Sequence, residues 1–351
     1  MVTRTQTKVT HYETQKRRRG VFLDEWRKYR QTVVKQADVE MFETHPGVRH
    51  GVYMGTDGDR PTRTVDAHVQ EIDPGARTSI RRHSWDVLTF GVSGSGWTEI
   101  DGVRYDWRAW DTLHIPPWAW YRHGNDGDKT VRFMSYSTEP FLDIIRMAVL
   151  DDRGDAEFSD LPGRPEFSSG QDGEDPYSRM LRRLAKKQEE NLEGRVMTGY
   201  DELELLPTPR GTRTTFLNDK AIGNRTSGIT QAMLQFAPGK GQSMHRHPGE
   251  AWLYVVEGRG YSYLGYEPEG GETHEWEQGD IIVVDHYLWH QHFNSDPDKS
   301  ARLVRIHMFD GLLETLKALL DPLPMFEEPA EALAKAPDIS NVVWPEDERP
   351  E

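Results

Sequence analysis

Two stretches of this chain can be laid over each other residue by residue, so one architecture must be built twice. Pro74-Gly75 matches Pro238-Gly239, an offset of 239 − 75 = 164 residues. At the same offset His83 falls on His247 and Gly94 on Gly258. Further along the offset is 280 − 111 = 169, which places Asp111 on Asp280, Trp120 on Trp289, His123 on His292 and Asn125 on Asn294. The extra residues fit a longer turn at 266–271 in the second copy. In the first copy, turn signals such as Asp73-Pro74-Gly75, Ser93-Gly94-Ser95-Gly96 and Gly124-Asn125-Asp126-Gly127 recur at short intervals. Closely spaced strands and turns of this kind make a β-sandwich or a small barrel.

The second copy carries the chemistry. Alternate residues of a strand point to one face, so His245 and His247 project together. His290, from a later strand, can complete a facial set of three nitrogens with open positions opposite. Such a set suits Fe(II), Mn(II), Ni(II) or Zn(II). The first copy has Arg81 at the His245 position and Tyr121 at the His290 position. A guanidinium stays protonated and has no lone pair to donate. The first copy is therefore expected to be metal-free, with His83 a hydrogen-bonded core histidine. Arg81 is expected to fill the vacated cavity or to hold an acidic group.

Strand parity extends the site. Val304, Ile306 and Met308 make one apolar face, which leaves Arg305 and His307 on the other, toward either a polar cavity or solvent. His292 shares a face with His290 and is either a proton shuttle or a structural donor. Trp252, Tyr254 and Trp289 are candidates to line an aromatic pocket, although core packing is the commoner use of such residues.

The 351 residues are enough for two domains. A formal net charge of −15 argues against a nucleic-acid or anionic-membrane partner. With no cysteine, disulfides, zinc–thiolate sites and thiol nucleophiles are excluded. No apolar run approaches the roughly 18 residues of a membrane span, and the N-terminus lacks a signal-peptide core. A cytoplasmic location is the expectation.

The stretch 239–294 resembles the cupin superfamily, whose motifs read roughly G-x5-H-x-H-x3-4-E-x6-G and G-x5-P-x-G-x2-H-x3-N. Gly239, His245, His247 and Gly258 fit the first motif, and Gly279, His290 and Asn294 the second. Asp285-His286-Tyr287 stands in place of the P-x-G. The resemblance implies a mainly β protein of two tandem cupin domains, each a double-stranded β-helix or jelly roll, with peripheral helices. The family's glutamate ligand maps to Ala251 by its distance from Gly258. Glu250 lies one position early and points away unless the strand bulges. The expected ligands are His245, His247 and His290, with Glu250 as a neighbour or occasional ligand.

The layout is also similar to the bicupin ring-cleaving dioxygenases, the gentisate 1,2-dioxygenase group with its salicylate and 1-hydroxy-2-naphthoate relatives. The likeness rests on Met244-His245-Arg246-His247 with Gly258, and on Trp289-His290-Gln291-His292 with Asn294. It implies a three-histidine Fe(II) centre that takes the substrate's hydroxyl and carboxylate and uses O2 to open the ring. In that group the metal sits in the N-terminal cupin, whereas here the histidines lie in the C-terminal one. An arginine that follows the metal histidines in that group is Leu253 here. Arg305 is the candidate replacement charge, and a different phenolic or enolisable substrate is favoured over gentisate.

The rest of the chain divides as follows. Residues 1–64 read as an N-terminal arm. They include a basic cluster ending at Arg19, a short helix marked by Phe22, Trp26 and Tyr29, and a loop at 45–63. Residues 65–150 form the degenerate cupin, with a helix at 141–150. Residues 151–200 form a linker and a helix at 177–193. Residues 201–320 form the metal-binding cupin, with a closing helix at 312–320. Residues 321–351 form an extended acidic tail that keeps Met325, Phe326 and Trp344, and either lies over a neighbouring subunit or frays. Exposed sheet edges and these aromatic residues lead us to expect a homodimer or higher homo-oligomer.

The function expected is an Fe(II)-dependent dioxygenase that cleaves an aromatic ring or C–C bond of a hydroxylated aromatic acid or related enolisable compound. Its partners are a small-molecule substrate and O2. His292 or His307 is the expected proton-transfer group, with Glu250 as fallback. Arg305, Trp252, Tyr254 and Trp289 are the expected substrate contacts. The competing readings are a cupin isomerase, lyase or hydrolase whose metal acts only as a Lewis acid, and a ligand-binding bicupin without catalysis. Oxygen uptake separates the dioxygenase from the Lewis-acid enzyme.

Overall fold

The computed structural model describes residues 10–16, 28, 30–56, 59–163, 172–190, 194–224, 228–308, 326–345 and 349–350. Antiparallel strands make two barrels, with few helices. In the first barrel a seven-stranded sheet runs in the order Met197–Thr198, Thr112–Ile115, Val87–Ser93, Val131–Ser137, Asp66–Ile72, Val48–Met54, Met41–His45. It packs against a five-stranded sheet that contains Arg81–His83, Tyr121–Gly124 and Ser95–Ile100. In the second barrel a seven-stranded sheet containing Thr230–Phe236, Ala301–His307, Ala251–Glu257 and Ile281–Val284 packs against three strands, Glu272–Glu277, Arg259–Gly265 and Trp289–Asn294. No helix among the described residues is long and apolar enough to cross a membrane.

Strand periodicity explains how the barrels join. Along Ala251–Glu257, Ala251, Leu253 and Val255 point into their own barrel beside Leu264 and Trp276. Trp252, Tyr254 and Val256 point the other way, into a cluster shared with Leu88, Phe90 and Met134 of the first barrel. Both faces of this strand are buried, so its sequence is a continuous apolar run rather than an alternation. Each large side chain fully buried there contributes about 1.5–3 kcal/mol.

The repeat read from sequence survives in side-chain detail. Asn125 donates to the carbonyls of Ile72 and Lys129, and Asn294 donates to those of Ala237 and Lys299. Gly94 and Gly258 take left-handed φ values of 77° and 93°. A Cβ would lie 3.0 Å from Val131 at the first and 2.7 Å from Ala301 at the second. Both positions need glycine for the same two reasons.

The repeat is longer than its sequence signal. Val33–Val34 precedes the first barrel but pairs with Ile281–Val284 in the second. Met197–Thr198 precedes the second barrel but pairs with Thr112–Ile115 in the first. Each copy thus lends its leading strand to the other barrel. An aspartate fixes each exchange. Asp280 accepts from the backbone N–H of Gln36 at 3.0 Å and of Glu277 at 2.9 Å, and from Lys35 Nζ at 2.8 Å. Asp111 accepts from the N–H of Tyr200 at 2.9 Å and of Arg108 at 3.0 Å.

Several local expectations are corrected. The expected loop at 45–63 contains the strand Val48–Met54, whose Val48 and Tyr53 are buried. The helix expected at 141–150 is the shorter α1, Glu139–Ile144. Arg146 then turns at φ 59°, and Leu150–Asp152 joins the sheet beside Arg81–His83. The helix expected at 177–193 is α2, Pro176–Glu190. The aromatic trio at 22, 26 and 29 and the helix at 312–320 lie outside the described residues. The tail folds back on its own chain. Arg246 and Glu327 exchange backbone hydrogen bonds, and Arg213 stacks 5.1 Å from the Trp344 ring.

Asp280→Ala would strand two backbone donors. The expected loss is roughly 2–6 kcal/mol, at about 1–3 per unsatisfied group. Urea denaturation measures it, and a change below about 0.5 kcal/mol would rule out the fastening role.

Candidate metal centre

Backbone pairing assembles the site. The His245 N–H donates to the His290 carbonyl at 3.1 Å, and the His290 N–H donates back at 2.9 Å. This bridge sets the two rings 4.1 Å apart. His247, two residues on, adds a third ring 4.9 Å from His290. One nitrogen from each lies within 4.8 Å of the others, and all three side chains are buried. They are the only such group of three metal-type ligands among the described residues.

Hydrogen bonds fix the tautomers of two of the three histidines. His245 Nδ1 faces the Ser243 carbonyl at 3.1 Å, and His290 Nδ1 faces the Leu288 carbonyl at 2.8 Å. A carbonyl only accepts, so both Nδ1 atoms carry the proton and both Nε2 atoms present lone pairs. His247 Nδ1 lies 3.1 Å from His307 Nε2. With His247 Nδ1 as donor, its neutral ring carries the lone pair on Nε2. Burial, then the neighbouring imidazoles and arginines, drives His245 and His247 well below the usual histidine range. Burial likewise pushes His290 down to about 4. Three neutral imidazoles with available lone pairs fit a divalent metal. In a facial set with bonds of about 2.1 Å the nitrogens stand roughly 3 Å apart, so small side-chain shifts close the set.

Two neighbours were not legible from sequence. Arg210 Nη1 lies 3.2 Å from His245 Nε2. Burial lowers its pKa to about 10, which still leaves it cationic at neutral pH. The nitrogen cannot serve this guanidinium and a metal at once. Arg210 also pairs with Glu328 at 3.5 Å and lies 4.0 Å from the Phe326 ring. Phe326 in turn stacks on His245 at 5.2 Å. Arg210 follows no motif, and Phe326 sits in the tail, so neither had a positional signal.

The other expected residues scatter. Arg305 and His307 face the barrel interior, and the Arg305 charge contributes to the lowered pKa of His247 and His307. His292 is held from below: its Nδ1 is 2.7 Å from Ser262 Oγ, which also accepts from Trp276 Nε1 at 3.0 Å. The first barrel repeats this arrangement with His123, Thr98 and Trp107, at 2.9 and 3.0 Å. A triad present in both barrels belongs to their common frame. Glu250 points away from the imidazoles, its carboxylate accepting from the Thr64 hydroxyl of the other half. Trp252 and Tyr254 sit in the interbarrel cluster, on the opposite strand face from the cavity. Trp289 flanks His290 but points outward, 4.6 Å below the Arg246 guanidinium. The physical reason is the same for all three aromatics: strand alternation turns each neighbour of an inward residue outward.

The cupin domain family matches residues 68–137 and 232–307. The chain is a bicupin. A gentisate 1,2-dioxygenase of Haloferax sp is 24% identical over 293 residues, covering 77% of this bicupin and 78% of that protein. A 1-hydroxy-2-naphthoate 1,2-dioxygenase of Nocardioides sp. (strain KP7) is 24% identical, covering 79% and 73%. The crystal structure of a salicylate 1,2-dioxygenase from Pseudaminobacter salicylatoxidans shares the fold, with a TM-score of 0.56 at 17% identity, covering 90% of the bicupin and 97% of that chain.

Glu250 gives a pH test. Burial raises its carboxyl from 4.5 to about 7, outweighing the opposing Thr64 hydrogen bond. The folded protein therefore holds this proton more tightly than the unfolded chain. The associated stability is complete below the unfolded value and is lost as pH rises through about 7. Glu250→Gln is expected to stabilise the protein at pH 8 by up to roughly 3 kcal/mol, with no gain at pH 4. Denaturation across this range measures it; a gain independent of pH would contradict the assignment.

Proposed function

We propose that this bicupin is an Fe(II)-dependent dioxygenase that opens the ring of a hydroxylated aromatic acid or a related enolisable compound. The observation that carries the reading is the buried set of three neutral imidazoles with Arg210 beside it. The ring-cleaving activities named for its relatives support the same class of chemistry. Bound Fe(II) would supply a cation for the substrate's oxygens and the electrons with which O2 reacts.

The protein's own residues supply the rest. His245, His247 and His290 would hold the metal and add no charge, so its full formal charge would favour an anionic, bidentate substrate. With His247 held through Nε2, its Nδ1 would donate to His307 Nε2, 3.1 Å away, which orients the ring, a positioning role. Arg210 is the carboxylate-binding group: its fork of donors matches a carboxylate bidentately. Arg305 adds positive potential from the sheet behind. Phe326 offers a flat apolar wall for the ring and keeps water from the face it covers. His292 maintains the barrel floor, and Glu250 acts at the contact between halves.

The test combines metal analysis and an oxygen electrode. Fe(II)-loaded protein should hold about one equivalent of metal per chain and consume O2 with some member of a panel of salicylates, hydroquinones, catechols and β-diketones. His290→Ala should abolish uptake. Arg210→Gln should raise KM about tenfold or more for carboxylate-bearing members and leave the others little changed. Anaerobic conversion with Zn(II) or Mn(II), without O2 uptake under Fe(II), would replace this reading with the Lewis-acid one.

A further inference from the structure

The first barrel keeps a polar cavity at the place where the second gathers its histidines. It measures about 150 Å³, and its lining includes Arg81, His83, Tyr121, Asp66 and Glu139. A cavity of about this volume accommodates a ligand the size of benzene. Leu150, 54% exposed, stands at its rim.

Two groups in it are poised for a ligand. Arg81 and His83 lie two residues apart on one strand and so share its inner face. Arg81 Nε donates to the Tyr121 hydroxyl at 2.8 Å. Among the described residues, no carboxylate lies within 4.0 Å of this guanidinium. Its fixed charge occupies the place that a metal ligand takes in the other barrel. His83 is 1% exposed. Its Nδ1 is 2.7 Å from the Trp85 carbonyl, so Nδ1 carries the proton. Burial first, then Arg81, pushes its pKa down to about 3, and the ring is neutral. His83 Nε2 is therefore a bare lone pair, buried and without a hydrogen-bond partner among the described residues. One imidazole beside a guanidinium is no metal site. It is a donor fork next to a lone acceptor.

A ligand that satisfies both carries a carboxylate for the fork and a hydroxyl that donates to the acceptor. The opposite wall limits its charge. Asp66 accepts from the Ser137 N–H and hydroxyl, each at 2.7 Å, and pairs with His68 at 3.1 Å. Glu139 adds a second carboxyl, raised by burial and by Asp66. A second carboxylate on the ligand would meet these acids. We propose that the N-terminal barrel is a binding site for a small monoanionic hydroxycarboxylate, its carboxylate on Arg81 and its hydroxyl donating to His83 Nε2.

Calorimetric titration of the full chain, treated with chelator so that the histidine centre is empty, tests this with glycolate, lactate, acetate and malonate. Glycolate and lactate should bind saturably, and acetate and malonate at least about tenfold more weakly. Arg81→Gln should weaken glycolate by about tenfold or more, while Arg210→Gln should leave it unchanged. His83→Phe should erase the preference for glycolate over acetate. If circular dichroism shows Arg81→Gln to be unfolded, Arg81→Lys, which keeps the charge and loses the fork, must show the same weakening. No saturable binding up to about 50 mM, undiminished affinity in the folded Arg81 variant, or an intact preference in His83→Phe overturns the proposal.

Discussion

The exchange of leading strands is the contact on which the rest of this molecule depends. Val33–Val34 completes the sheet of the second barrel, and Met197–Thr198 completes that of the first. Asp280 and Asp111 fasten the two exchanges by accepting backbone N–H groups at equivalent places. Neither barrel closes its sheet with its own repeat alone. The outward faces of the same sheets then merge in one apolar cluster that includes Phe90 from one half and Trp252 and Tyr254 from the other. Tyr53 reaches across to donate to the Gly279 carbonyl at 2.6 Å, next to the Asp280 fastening. The halves exchange strands and share one apolar cluster, so the wall of each barrel is built by both.

Within that frame the two interiors diverge. The tryptophan–hydroxyl–histidine triad and the asparagine staple are common to both barrels. Above them the substitution of Arg81 for a histidine and of Tyr121 for another changes the chemistry completely. The second barrel gathers three neutral imidazoles. The first offers a permanent cation and one lone pair. A duplicated scaffold can hold both because the barrel wall, rather than the polar centre, provides the apolar burial that stabilises it.

Burial does most of the electrostatic work at the histidine centre. It keeps the imidazoles neutral, so no proton competes with a metal for their lone pairs. The same burial leaves Arg210 protonated, because its normal value is so far above neutrality. Glu328 and Phe326, delivered by the tail, both contact that guanidinium. The tail is thus part of the site, although it carries none of the motif residues.

The repeat, the histidine spacing and the presence of Arg81 and Tyr121 at two of the histidine positions were legible in the sequence because they are local. Strand alternation and glycine conformation act over a few residues, and a fixed offset reveals the copy. His245, His247 and His290 needed only parity and a motif to be named together. Tertiary structure alone decided which of the remaining polar residues meet them. Arg210 comes from the turn between the paired strands Leu206–Pro207 and Arg213–Asn218, Phe326 from the tail, and the strand Val33–Val34 from a stretch with no repeat signal of its own. Parity also says that two faces exist without saying which is the cavity when both are apolar, as on Ala251–Glu257. There, Trp252 and Tyr254 face the partner barrel, and only the presence of that second apolar surface determined it.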